Sequence, residues 1–347
     1  MKTLLPVLLL ALSTALGAAT ELARAAQPQL AVNAKGTVWV AFGRGPEIHV
    51  ARSDDGGATF ATPVTVASLP SLMLGRRRGP RIVAHGEILT ATAMAGDLHA
   101  FRSADGGRTW KGPFRVNDTV RSAREGLNGL TVAPDGRVFA TWLDLRGERT
   151  QLFGAESADG GQTWSANRLI YRAPSGQTIC ECCHPSVAFN ARGDLRVMWR
   201  NALEGARDMW SAERPAGAEE FGPARKLGEG SWMLKACPMD GGVLFPAADG
   251  FGTVWQRAGR VFHARPGLGE RELEEFLDVQ VPSFQVGADR TLALATLVDG
   301  HRSVIDHLQE GDHALGLAVG ALDVRAQCAH AGPVIAQAAG ELGQQGV

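Results

Sequence analysis

"SADGGRTW", residues 103–110, decides how this chain is read. It recurs as "SDDGGATF" at 53–60 and as "SADGGQTW" at 157–164, at intervals of about 50 residues. Each copy is a polar turn followed by an aromatic residue. Its Asp carboxylate can accept backbone N–H groups, and its glycines can take the positive φ that a tight turn requires. The flanks repeat as well. Residues 81–116 read "RIVAHGEILTATAMAGDLHAFRSADGGRTWKGPFRV", four short β-like runs separated by turn residues. One supersecondary unit repeated at this interval is the mark of a solenoid or a propeller.

The rhythm continues without the octet. Residues 184–227 carry the same alternation, with Ser211 to Phe221 standing where the octet would be. A fifth unit starts near "GGVLFPAADG" (241–250) and a sixth near "PSFQVGADR" (282–290), and the tail "HAGPVIAQAAGELGQQGV" (330–347) reads as the first strands of another unit or as ring closure. The expectation is an all-β fold, a six-bladed β-propeller of four-stranded antiparallel blades, forming a single domain over residues 26–347.

The octet resembles the Asp box, S-x-D-x-G-x-T-W/F, of sialidases and related bacterial-neuraminidase-repeat proteins, and the resemblance implies the same six-bladed architecture. On this reading Asp55, Asp105 and Asp159 are turn staples between the third and fourth strands of a blade, not catalytic acids. Sialidases use an arginine triad on the substrate carboxylate, a Tyr–Glu nucleophilic pair and an acid/base Asp. Here "PRIV" (80–83) matches the family's F-R-I-P in part, and it follows an octet instead of preceding the first. The one tyrosine, Tyr171, falls on the link before blade four, where the family's nucleophile belongs to a late blade.

Composition bounds the rest. Formal net charge is −1 with 20% charged residues, which argues against a nucleic-acid footprint. Residues 1–25 have a Lys2 start, an apolar run and an Ala23-Arg24-Ala25 exit, the pattern of a secretory signal peptide. The run is short for a membrane span and no second one follows, so no stable span is expected after cleavage. The mature protein is expected to be periplasmic or secreted.

Strand direction alternates within a blade, so the octets share one face, and the second-to-third-strand loops and blade-to-blade links share the other. That second face collects an unusual set. Blade four begins "CECCHPS" with Cys180, Cys182, Cys183 and His184; blade five begins "KACPMDGG" with Cys237 and Met239. The fifth cysteine, Cys328, precedes the last partial unit. An exported protein oxidises its thiols, and four cysteines pair in three ways. Thiolate, imidazole and thioether together also suit a soft metal ion, copper or else zinc. Adjacent Cys182 and Cys183 disfavour a bond to each other, which leaves cross-blade pairing to Cys237, a ligand role or a redox pair. The sequence leaves disulfide and metal open.

The same face carries charge. Arg81 starts blade two, Asp144 and Arg146 sit in the second-to-third-strand loop of blade three, and Arg200, Asn201, Arg207 and Asp208 in that of blade four. Arginine suits carboxylates, so an acidic glycan or small anionic ligand is a candidate partner. The alternative is structural pairing, Asp144 with Arg146 and Arg200 with Asp208. Three functions follow. The first is a non-hydrolytic propeller with a Cys-rich axial site for metal or thiol chemistry. The second is a sialidase-type glycoside hydrolase using Arg81, Arg200 and Arg207 as clamps and Asp144 or Asp208 as acid. The third is a disulfide-pinned interaction module.

Overall fold

Each octet folds into the same hydrogen-bonded turn. Ser53, Ser103 and Ser157 each accept the backbone N–H of the glycine four residues on, at 2.8 Å. The carboxylates of Asp55, Asp105 and Asp159 accept the Ser hydroxyl at 2.7–2.8 Å. They also accept the backbone N–H of Thr59, Thr109 and Thr163, at 2.9 Å in every case. The two central glycines have φ near +70° and +95°, a left-handed geometry that a side chain would strain. The turns also join blades: Trp39 Nε1 donates to the Gly106 carbonyl at 2.9 Å, and Thr90 Oγ1 to the Gly160 carbonyl at 2.8 Å.

The computed structural model describes residues 25–75, 77–267 and 269–273. Among them there is no helix, and five antiparallel sheets of four consecutive strands follow one another. Blade one is β1 (Ala26–Val32), β2 (Val38–Arg44), β3 (Glu47–Ser53) and β4 (Val64–Ser68). Blade two is β5 (Arg81–His85), β6 (Ile88–Ala95), β7 (Asp97–Ser103) and β8 (Lys111–Arg115). Blade three is β9 (Asn128–Val132), β10 (Val138–Asp144), β11 (Gln151–Ser157) and β12 (Arg168–Tyr171). A two-residue strand, β13 (Thr178–Ile179), precedes blade four, which is β14 (Ser186–Phe189), β15 (Leu195–Ala202), β16 (Met209–Arg214) and β17 (Arg225–Lys226). Blade five is β18 (Val243–Ala247), β19 (Gly250–Arg257), β20 (Arg260–Arg265) and β21 (Gly269–Leu273).

Period-two alternation explains why the sheets stack as propeller blades. A middle strand sends alternate residues to two neighbours and so must be apolar on both faces. In β10, Val138, Ala140 and Trp142 pack toward blade two, and Phe139 and Leu143 toward blade four. In β15, Leu195, Val197 and Trp199 face blade three, and Met198 faces blade five. First strands are innermost: β1 packs on β5, β5 on β9, β9 on β14 and β14 on β18. Gln29, Arg81, Asn128, Ser186 and Val243, one from each of these strands, line a narrow cavity on the axis. Of the expected features, all but the last residue of the signal peptide read over 1–25, the sixth unit, the tail and Cys328 lie outside the described residues.

Three strand boundaries differ from the sequence reading. Asp144 ends β10 instead of lying in the loop after it. Tyr171 ends β12, inside blade three, instead of lying on the link. Arg200 and Asn201 belong to β15, not to the loop after it. β15 runs on because the two residues of β13 pair with it, Thr178 opposite Ala202 and Ile179 opposite Asn201.

Candidate functional site

β13 delivers the cysteines. Immediately after it, the Cys180 N–H donates to the Arg200 carbonyl at 2.9 Å, and the Cys183 N–H closes a turn onto the Cys180 carbonyl at 3.3 Å. That turn brings the sulfurs of Cys180 and Cys183 to 3.4 Å. Cys182, on the same turn, is bonded to Cys237 from the next link, 55 residues on, with Cα atoms 6.4 Å apart. Its sulfur lies 3.5 Å from that of Cys180 and 3.9 Å from that of Cys183. The sulfurs of Cys180, Cys182 and Cys237 all fall within 4.8 Å of one another. Cys180 and Cys183 are buried free thiols, Cys182 is half-buried, and Cys237 is exposed.

Arg200 fastens the surrounding loops. It is 1% exposed, and its guanidinium donates to the carbonyls of Asp240 (3.0 Å), Arg207 (2.6 Å) and Gln256 (2.9 Å). Arg207 in turn donates to the Ala236 carbonyl, beside Cys237, at 3.2 Å. His184, next in sequence to Cys183, is 1% exposed, with neither imidazole nitrogen in a hydrogen bond. Gly241 packs on it: a Cβ there would lie 2.3 Å from the His184 carbonyl oxygen and 2.7 Å from the ring. Arg77, from the link between blades one and two, reaches Asp240 at 3.7 Å. Links from three places on the ring therefore meet at this end of the axis.

Charge is unevenly distributed here. Burial, and then the positive charges of Arg77, Arg81 and Arg200, push the His184 imidazole well below its ordinary range, so it is neutral. The Gly242 backbone acts weakly the other way and is outside hydrogen-bonding geometry. Burial raises Asp240 against the pull of Arg77 and Arg200. The two thiols are driven apart. A hydrogen bond from Cys183 brings Cys180 down to about 7 despite burial, with help from Arg207 and Arg200. Burial and the neighbouring Cys180 raise Cys183. One sulfur of the pair is thus set up as the thiolate and the other as its proton donor.

The other sequence candidates fall elsewhere. Arg81, 4% exposed, lines the axial cavity and donates to the carbonyls of Gly79, Pro80 and Arg77. Burial lowers it to about 10. Arg81 and Arg200 are thus committed to backbone carbonyls instead of facing solvent as a clamp. Asp144 is fully buried and accepts hydrogen bonds from Ser122, Trp142 and Arg146 at 2.7–2.9 Å. Burial would raise this carboxyl, but those bonds prevail and hold it low. Asp208 accepts from Ser231 and Trp232 and pairs with Lys226 at 3.2 Å, which replaces the Arg200–Asp208 pairing expected from the sequence. Met239 lies half-buried in the link after Cys237, with φ +55°. Tyr171 accepts a hydrogen bond from Asn201 at 3.1 Å and packs on Trp199 at 4.8 Å.

Sequence reasoning missed Arg77, Asp240 and Gly241. The signal available was position: all three lie in blade-to-blade links, the segments that the strand-direction rule assigns to this face.

Neither a family model nor a curated protein matches the sequence. Solved structures do resemble it. A protein of unknown function from Dyadobacter fermentans DSM 18053 has a TM-score of 0.52 at 16% identity, over 75% of this chain and 85% of that one. A Hadza microbial sialidase has a TM-score of 0.43 at 19% identity, over 67% of this chain and 50% of its own. An α-L-arabinofuranosidase from Fusarium graminearum has a TM-score of 0.47 at 11% identity, over 76% and 83%. The first supports the fold; none of the three says what this chain does.

Proposed function

We propose that the protein is an exported, six-bladed propeller of the Asp-box, sialidase-like type whose Cys-rich axial end does thiol–disulfide chemistry and does not hydrolyse glycosides. The observation that carries the reading is the 3.5 Å approach of the Cys180 sulfur to the Cys182–Cys237 disulfide, with Cys183 a further 3.4 Å from Cys180. A nucleophilic thiol, its proton donor and an exchangeable disulfide are thereby in contact. The non-hydrolytic part is supported by the residues a hydrolase would need. Asp144 is sealed among three donors, Tyr171 is hydrogen-bonded in a strand, and Arg81 and Arg200 serve backbone carbonyls.

The test is reaction of the native protein with a small aromatic disulfide that releases a coloured thiolate. Release by the wild type and its loss in Cys180→Ser is the expected result. A wild type as inert as Cys180→Ser contradicts the proposal.

A second reading is a soft-metal site, favoured by the three sulfurs within 4.8 Å. Once the disulfide is reduced, Cys180, Cys182 and Cys237 present thiolates suited to copper(I), or to zinc. Stoichiometric copper(I) retained by the reduced protein against a chelator supports it, and failure to retain either metal removes it.

A further inference from the structure

The thiol centre has an inside and an outside. Cys180 and Cys183 are 3% and 1% exposed, whereas Cys237 is exposed on the loop after Lys235. Cys180 touches both pairs, at 3.4 Å to the sulfur of Cys183 and 3.5 Å to that of Cys182. From these contacts we infer that the disulfide moves: the buried dithiol and the exposed disulfide exchange oxidation state within the folded chain, with Cys180 as the relay. The inference rests on the thiol reading above.

The exchange balances in two steps. The Cys180 thiolate attacks the Cys182 sulfur; the Cys180–Cys182 bond forms and the Cys182–Cys237 bond breaks. Cys237 leaves as a thiolate and takes up from solvent the proton that Cys180 gave up. The Cys183 thiolate then attacks the Cys180 sulfur; the Cys180–Cys183 bond forms and the Cys180–Cys182 bond breaks. Cys182 leaves and is protonated in place of Cys183. One disulfide and two thiols are present before and after, so no external oxidant or reductant enters. Positive charge lies beside the two attacking sulfurs, Arg200 and Arg207 at Cys180 and Arg77 and Arg200 at Cys183.

The geometry of the turn permits the second bond, because the Cys183 N–H already bonds the Cys180 carbonyl and closes the four residues on themselves. The consequence is spatial. In one state a covalent tie joins the links before blades four and five and the thiols are hidden. In the other the tie is cut and a dithiol, Cys182 with Cys237, faces solvent, where the disulfide of a partner molecule can reach it.

The experiment is maleimide labelling of the folded full-length protein without reductant, followed by acid quench and peptide mapping. Cys237 should become labelled progressively, and the labelled molecules should carry a Cys180–Cys182 or Cys180–Cys183 bond. Cys180→Ser should abolish Cys237 labelling, and Cys183→Ser should stop the exchange at Cys180–Cys182. If Cys237 stays unlabelled while Cys180 and Cys183 are recovered as thiols on unfolding, the relay is wrong and the thiol centre stands. If no thiol is recovered at either position, the relay and the reading beneath it fall together. The wild-type measurement decides by itself should a variant not fold.

Discussion

The octet turns of blades one to three and the cysteine centre before blades four and five sit on opposite faces of the blades, and they treat polar groups in opposite ways. In each turn the Asp carboxylate is saturated: Asp105 accepts from Ser103, from the Arg108 and Thr109 backbones and from the Thr109 hydroxyl. At the centre, His184 has no hydrogen bond on either nitrogen, and Asp240 Oδ1 has only its 3.7 Å ion pair with Arg77. A buried polar group left without a hydrogen bond is costly, and at His184 that cost falls at the end of the axis where the cysteines meet. Asp residues spelled three times in the sequence are scaffold. Cysteines spelled once carry the proposed chemistry.

That contrast can be broken by mutation. The largest expected effect is Cys180→Ser, which should reduce reaction with an aromatic disulfide to the level of buffer alone; residual wild-type reactivity would move the nucleophile elsewhere. Next, the wild type should release no measurable sialic acid from a fluorogenic sialoside. Turnover that disappears in Arg81→Ala would restore the hydrolase. Smaller is Asp105→Ala, which removes an acceptor for several donors and should cost about 1–3 kcal/mol in denaturant unfolding. Thiol reactivity should not change, and a loss of reactivity at unchanged stability would put the turns on the chemical face.

The two ends should also differ in acid. Hydrogen bonds from Thr59 lower Asp55 to about 2, and hydrogen bonds from Thr109 do the same for Asp105. Carboxyls depressed in the folded state contribute stability that is present above their ordinary value of 3.8 and lost as pH falls toward about 2. His184 is depressed from 6.5 in the folded state, and the unfolded chain binds its proton first as pH falls. Its contribution is therefore lost on acidification below about 6.5, well before the turns are affected. His184→Gln should flatten the stability curve between about pH 6.5 and 5 without altering the limb near pH 3. An unchanged slope in the upper window would contradict a buried neutral imidazole.

The turns were legible because the hydrogen bonds that shape them are local. Ser, Asp, Gly and Thr bond within four residues of one another, so the octet carries its own structure. The blades were legible for a similar reason, since short apolar runs such as β10, buried at every position, are bounded by turn residues. The centre was legible only as a coincidence of links. Which cysteines pair does not follow from spacing. β13 is too short to leave a pattern, and without it Arg200 reads as a loop residue. Arg77 reaches Asp240 from a link 163 residues away in sequence, an approach that only the tertiary arrangement of the blades creates.

The account rests most directly on the oxidation state of four sulfurs. Protein purified from an oxidising compartment, trapped in acid and mapped peptide by peptide, should hold one disulfide and two free thiols among Cys180, Cys182, Cys183 and Cys237. Four oxidised sulfurs, joined in two bonds among themselves or to Cys328, would contradict it and leave a propeller pinned by structural disulfides.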